Sequence, residues 1–323
     1  MYTFDQTHIR ELLPWPSLIA AIREMFISGC EAPLRHHYEI PVPGGEMGTL
    51  LLMPAWQSGR FIGVKVITIF SGNTRGILPA VSAIYVLADA NTGEMLAQFD
   101  GAEITARRTA AASALAASYL ARRDARRLLV IGTGRVCRNL VQAYCAIRPI
   151  EEVRVYGRNA DRARQFVKDL EFLPPRFSIA VDLSSALRQA DIVTSATLAT
   201  EPIILGRHLP DGVHIDLIGG FRPDMREADD DTIKRAGVVF VDTRDGAFKE
   251  AGDIVVPIAT GILDEHSVVA DLHDLCSGRH AGRTGDADVT VFKSVGAALE
   301  DLAAAISAYQ QFLKQSADKC DIH

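Results

Sequence analysis

Residues 128–137 read Leu-Leu-Val-Ile-Gly-Thr-Gly-Arg-Val-Cys, an apolar run that ends in two glycines and opens a helix. No other stretch constrains the fold as strongly. Consecutive branched apolar residues suit a strand covered on both faces, the environment of a parallel sheet. Gly132 permits the tight turn after the strand. Gly134 lets the backbone approach a pyrophosphate at the positive end of the following helix. Cys137 stands where a third glycine or alanine is usual and is small enough for close helix packing. Such a glycine pattern is weak alone, but here another strand follows about 20 residues later, which is the required setting.

The surrounding grammar agrees. Apolar runs at 128–131, 153–156, 177–181, 192–195, 213–218 and 238–241 alternate with helical patterns, notably Arg135–Ile147 and Ala160–Leu170. This alternation predicts a doubly wound parallel sheet. Upstream the pattern differs. Pro16 and Ser17 start a helix that Leu18, Ile22, Met25 and Phe26 line at helical spacing and Gly29 stops. From residue 35 to 87 the chain reads as β-rich runs broken by turn residues, over 41–45, 49–53, 61–70 and 82–87, and these are expected to form one sheet. A turn at 90–93 leads to a run at 95–99 and an alanine-rich helix over 103–121. A last helix is expected over 293–313, with Val295, Leu299, Leu302, Ile306 and Tyr309 on one face, returning to the first domain. A length of 323 residues suits two domains. The expected fold class is α/β, with a discontinuous first domain (1–120, completed by 290–323) and a doubly wound sheet domain (121–289).

Composition narrows the partners. Hydrophobic residues at 48% fill a sizeable core, and a net charge of −6 argues against nucleic acid, whose binding rests on Lys and Arg contacts. Five widely spaced cysteines without a CxxC pair suggest neither a disulfide framework nor a zinc ribbon. The N-terminus has no basic segment followed by an apolar run, and no charge-free stretch approaches the ~18 residues of a membrane helix. A soluble, cytoplasmic protein is expected. The arginines at 122, 123, 126 and 127 and the acids Asp229, Asp230 and Asp231 read as solvated helix ends. His36 and His37, adjacent on a strand, point to opposite faces and cannot chelate one ion together, so no metal is expected.

The strand end at Val155-Tyr156-Gly157-Arg158-Asn159 bears on the dinucleotide. NAD enzymes place an Asp or Glu there against the ribose hydroxyls. None is present, and Arg158 suits a 2′-phosphate through its planar fork. NADP(H) is therefore the expected preference. If Arg158 is only a surface arginine, the choice stays open and NAD(H) serves as well.

The chain resembles the ornithine cyclodeaminase/mu-crystallin family, with its ketimine reductases and alanine dehydrogenases, over nearly its whole length. The resemblance is carried by Gly63-Val64-Lys65 with Asn73, Ile104-Thr105-Ala106-Arg107-Arg108-Thr109-Ala110-Ala111, the 132–137 turn, Thr197-Leu198-Ala199-Thr200-Glu201-Pro202-Ile203, Arg222-Pro223-Asp224-Met225-Arg226-Glu227, Lys249-Glu250-Ala251-Gly252-Asp253 and Val291-Phe292-Lys293-Ser294-Val295-Gly296. It implies a Rossmann-type domain, a homodimer formed through the N-terminal sheet, and a substrate bound between the domains. It implies that Arg35, Lys65 and Arg108 hold the substrate carboxylate, with Val295 near the substrate. Around the dinucleotide it implies Gly132, Thr133, Gly134, Arg135, Val136, Asn159, Thr197, Met225 and Ser294, with Arg108 close by. A threonine that contacts the cofactor in cyclodeaminases aligns with Ala80, losing that contact. Read without the resemblance, Arg35 and Arg108 are surface cations. Lys65 is different, because it interrupts the apolar run 61–70 and needs a partner or an outward position.

The informative departure is Gly219-Gly220-Phe221. Cyclodeaminases resemble this segment but follow the small pair with an aspartate that contacts the substrate amino groups and moves a proton. Phe221 can do neither, and Asp216 and Asp224 are weak substitutes. Mu-crystallin-like ketimine reductases also lack that aspartate. The expected function is therefore NADPH-dependent reduction of a small cyclic ketimine, Δ1-pyrroline-2-carboxylate or Δ1-piperideine-2-carboxylate, to L-proline or L-pipecolate. Lys65 is the candidate acid, since arginine is not deprotonated in proteins, and Phe221 shapes the substrate pocket. Phe221 and residues 61–71 leave the ring size open. The alternatives are an ornithine or lysine cyclodeaminase using NAD, an alanine-type dehydrogenase, and a non-catalytic protein that binds a small ligand with NADPH.

Overall fold

A computed structural model of the chain describes residues 1–70, 72–73 and 78–320. Two compact units emerge. One comprises Met1–Arg108 and Ala297–His323, and the other Thr109–Gly296.

The first unit begins with β1 (Tyr2–Phe4), α1 (Gln6–Leu12) and α2 (Trp15–Ser28). There follow β2 (His36–Ile40), β3 (Gly48–Gln57), β4 (Phe61–Ile69), β5 (Val81–Asp89), β6 (Met95–Asp100) and α3 (Gly101–Leu120). The six strands form one sheet in the order β1-β6-β5-β4-β3-β2, antiparallel except where β1 runs parallel to β6. Leu18, Ile22, Met25 and Phe26 recur on one face of α2 and are buried, as their helical spacing requires. The expected run at 41–45 is a turn instead. Pro41 and Pro43 withhold ladder donors and Gly44 takes φ +72°, so the strand lies before them at β2.

In the second unit β7 (Arg127–Ile131), α4 (Arg135–Ile147), β8 (Glu152–Tyr156), α5 (Ala160–Leu170), β9 (Arg176–Ile179), α6 (Leu183–Arg188) and β10 (Ile192–Ser195) alternate strictly. Then come β11 (His214–Leu217), α7 (Asp230–Ala236), β12 (Val239–Val241), α8 (Arg244–Glu250), α9 (Gly252–Ala259), β13 (Val268–Asp271), α10 (Leu272–Cys276) and β14 (Thr290–Lys293). All eight strands are parallel, in the order β13-β12-β14-β11-β10-β7-β8-β9. The order reverses between β7 and β10, the switch point beside which such sheets bind ligands. Val130, Val155, Val193, Ile215 and Val291 fill the strands' covered faces.

The final helix, α11 (Ala298–Cys320), belongs to the first unit and packs against α2, β3 and β4. It starts five residues later than expected. Residues 290–293 extend as β14 and Gly296 takes φ +81°, so Val295 is not on a helix. The division between the units also falls inside α3, after Arg108, rather than at its end. The charge clusters are paired helix and strand ends: Arg122 and Arg127 both bond Asp191, and Asp229 caps α7.

Candidate functional site

In the first unit Lys65 lies mid-strand in β4, its side chain 1% exposed. The strand alternation that buries it also buries Gly63, and that glycine has a steric reason. A Cβ at Gly63 would stand 1.9 Å from the Tyr85 hydroxyl. Tyr85, opposite Lys65 on β5, thus fills the space a side chain would take. A buried ammonium needs a counter-charge, and Lys65 Nζ donates to Asp301 Oδ2 at 2.6 Å. The other oxygen of Asp301 accepts from Arg108 Nε at 2.9 Å, and Glu300 Oε2 accepts from Arg108 Nη1 at 2.6 Å. Asp301 and Glu300 are fully buried in the first turn of α11.

The cluster is formally neutral: two cations and two carboxylates. Half-buried Arg35, before β2, adds a positive charge that reaches Lys65. Burial pushes Lys65 down to about 8, Asp301 opposes that shift, and Arg108 and Arg35 reinforce it. Burial also works against the charges of Arg108 and Asp301. In each case the ion-pair partners outweigh it, holding the guanidinium high and the carboxyl low.

The second unit carries the glycine turn. Gly132 takes φ +115°, and a Cβ there would meet Cys137 Sγ at 2.9 Å and the Ala196 carbonyl oxygen at 3.0 Å. Gly134 is the N-cap of α4, with no side chain bonded to the cap and nothing within 4 Å of a Cβ position. This open backbone at a helix start fits a dinucleotide pyrophosphate. Thr133 packs its methyl where a Cβ on Gly157 would stand, 2.8 Å away. Arg135 is exposed and Val136 half-buried on the first turn of α4. Cys137 is buried, its thiol pushed up to about 12 by desolvation, which marks a packing residue rather than a nucleophile. Arg158 is exposed after β8, while Asn159 caps α5 by accepting from the Arg162 N–H at 2.9 Å.

Three buried acids anchor the loops beyond the strands. Glu227 Oε1 accepts from Ser195 Oγ at 2.6 Å and from the Thr197 N–H and Oγ1 at 2.8 and 2.7 Å, while Oε2 takes the Gly219 N–H at 2.6 Å. Burial raises the Glu227 carboxyl, partly offset by Lys293. Asp253 Oδ1 accepts the N–H groups of Glu227 and Ala228, and Oδ2 lies 3.1 Å from the fully buried Lys293 Nζ. A Cβ at Gly219 would fall 2.1 Å from the Thr197 carbonyl oxygen, and one at Gly220 2.7 Å from Asp253 Oδ2, so both positions exclude side chains. Phe221 follows them, 41% exposed. Met225 is buried. Asp242 Oδ2 gathers Ser294 Oγ and the N–H groups of Val295 and Gly296 at 2.9, 2.8 and 2.6 Å.

The structure brings Lys65 and Arg108 together on one carboxylate, with Arg35 near enough to act on Lys65. Thr197 shares an anchor with Gly219, and Ser294 shares one with Val295. Sequence reading missed Asp301, Glu300, Glu227, Asp253, Asp242 and Lys293. Glu227, Asp253 and Lys293 lie inside the motifs that carry the resemblance and Asp242, Glu300 and Asp301 outside them, but nothing in the residue order tells which cation or amide each acid takes. Asp216 lies in β11, buried beneath Tyr144, Thr194 and Ser113. Asp224 is in an exposed turn paired with Arg222. His36 and His37 are exposed on β2. Among the described residues no His, Cys, Asp and Glu group is placed to hold a metal, and no helix is long and apolar enough to cross a membrane. Ser71 lies outside the described residues.

The sequence profile of the ornithine cyclodeaminase/mu-crystallin family matches residues 8–316. A Δ1-pyrroline-2-carboxylate reductase of Paracoccus denitrificans is 38% identical over 291 residues, covering 90% of each chain. A solved structure of Δ1-pyrroline-2-carboxylate reductase from Thermococcus litoralis, in complex with NADH and L-proline, superposes with a TM-score of 0.90 at 32% identity, covering 98% of each chain. An archaeal alanine dehydrogenase dimer with bound NAD gives a TM-score of 0.89 at 28% identity, over 98% of this chain and 97% of that one.

Proposed function

The chain belongs to the ornithine cyclodeaminase/mu-crystallin family, and on that premise we propose that it is an NAD(P)H-dependent oxidoreductase that reduces Δ1-pyrroline-2-carboxylate to L-proline. The observation that carries this reading is Lys65. It is a buried ammonium, brought to about 8, sharing a carboxylate with an arginine. Reducing a cyclic imine needs a hydride at the carbon beside the carboxylate and a proton at nitrogen. A bound nicotinamide dinucleotide supplies the hydride. Lys65 supplies the proton, directly or through one water, because its pKa lies near neutral pH. Arg108 has spent only part of its guanidinium on Asp301 and Glu300, so with Arg35 it offers charge-assisted bonds to the substrate carboxylate.

In the second unit Gly132, Thr133, Gly134, Arg135 and Val136 hold the pyrophosphate at the start of α4. Thr197 and Met225 stand around the dinucleotide, and Ser294 near its nicotinamide. NADPH is the preferred form, supported by Arg158 and by the absence of an acid at the end of β8. Phe221 supports reduction over ornithine cyclisation, since a phenyl ring neither binds an ammonium as a carboxylate does nor takes its proton. The chain works as a homodimer, supported by edge strand β2, exposed at every residue, with Tyr38 and Ile40 bare on it. Oxidation of NADPH and NADH with Δ1-pyrroline-2-carboxylate and its six-membered homologue tests the reading, alongside ammonia release from ornithine. Turnover of the five-membered imine without ammonia from ornithine is expected. Activity on ornithine alone sinks it.

A further inference from the structure

Asp301 is a branch point. One of its oxygens takes Lys65 and the other Arg108, and its neighbour Glu300 takes a second edge of Arg108. Both acids come from α11, more than 190 residues along the chain from the cations they hold. We propose that Asp301 is a positioning residue of the substrate site: it fixes the direction in which Lys65 and Arg108 present their remaining hydrogens, and it supplies the charge against which Lys65 is kept as an ammonium. The proposal deepens the reading of Lys65 as proton donor and rests on it.

Among the described residues, three charged or titratable side chains besides Asp301 face Lys65. Arg108 comes from α3, Arg35 from the segment before β2, and Tyr85 from β5. Burial holds the Tyr85 hydroxyl well above its usual range, so it stays neutral. Glu300 contacts Arg108 rather than Lys65. Of these groups only Asp301 favours the charged lysine by contact, while burial and both arginines oppose it. Without the Asp301 charge, burial and the two arginines drive Lys65 toward the neutral amine. Glu300 is oriented differently: its hydrogen bond is to Arg108 Nη1, the edge of the guanidinium away from Asp301. The two adjacent acids therefore have separable effects, one on proton supply and one on carboxylate binding.

The test is kcat/KM for imine reduction against pH in the wild type, Asp301→Asn, Asp301→Glu and Glu300→Gln, with dinucleotide affinity and Tm recorded for each. Asp301→Asn is expected to lose about 100-fold at pH 8, with its alkaline limb moved by about one pH unit or more to lower pH. Asp301→Glu, which keeps the charge and shifts it by a methylene, restores the wild-type limb with a raised KM. Glu300→Gln raises KM several-fold and leaves the limb in place. Dinucleotide affinity stays unchanged throughout. A limb set by the substrate's own imine nitrogen does not move between variants, so a folded Asp301→Asn protein with the wild-type limb overturns the proposal. If Asp301→Asn does not fold, Asp301→Glu decides, and a profile and KM both equal to wild type overturn it. If the wild type reduces no imine, the functional reading fails on its own. The positioning role is then read from calorimetric binding of L-proline: Asp301→Asn must weaken it more at pH 9 than at pH 7, and equal weakening rejects it.

Discussion

Both units bury carboxylates, but they spend them differently. In the first, Asp301 and Glu300 take side-chain cations, Lys65 and Arg108. In the second, Asp242, Glu227 and Asp253 take mostly backbone N–H groups and hydroxyls, tying loops down at Gly219, Ala228, Val295 and Gly296. A carboxylate that holds a cation sets charge and protonation. One that gathers amides sets the path of the chain. In the proposed function the first unit handles a proton and an anion, while the acids of the second unit hold the path of its loops.

If this contrast is right, substitutions in the two units fail in different ways. The largest effect belongs to Lys65→Met, expected to cut kcat/KM by about 10³-fold through loss of the acid, with dinucleotide affinity unchanged in a fluorescence titration. Lys65→Arg keeps the charge and should preserve substrate binding better than turnover, and equal loss of both would count against Lys65 as acid. Next comes Asp242→Ala, which strands the amides of Val295 and Gly296. It should cost about 3 kcal/mol in urea unfolding, and a pH profile matching wild type in the surviving folded protein would mark its role as shape alone. The pH dependence follows in size. Lys65 is protonated below its pKa of about 8 and neutral above it, so kcat/KM should fall about tenfold per pH unit on the alkaline side, read from initial rates between pH 6 and 10. Gly132→Ala, which puts a Cβ at φ +115° against Cys137 and Ala196, should weaken the dinucleotide by about tenfold or more without shifting that limb. The smallest is Arg158→Ala, expected to raise the KM for NADPH by roughly tenfold at most and leave NADH unchanged.

Much of the second unit was legible in the residue order because its signals are local. Val130 and Ile131 before Gly132 announce a buried strand and a turn with φ > 0, and the helix after Gly134 has the bounds its periodicity gives. The end of the chain was harder. Residues 290–293 are apolar enough for strand or helix, and only pairing with β11 and β12 makes them β14. Asp301 sits on a helix whose readable signal is its apolar face, and a buried acid and an exposed one look alike in the residue order until the cation it meets is known.

The sequence by itself determined the alternating architecture, the glycine turn, the absence of an acid at the end of β8, and a phenyl ring after the Gly219-Gly220 pair. These depend on residue type and on neighbours a few positions away. Only the tertiary structure decided that Lys65 and Arg108 meet on one carboxylate of α11, because a buried charge's partner is chosen by the fold's long-range closure. The proton affinity of Lys65 is set by that closure, through burial and three charges drawn from separate elements of the unit.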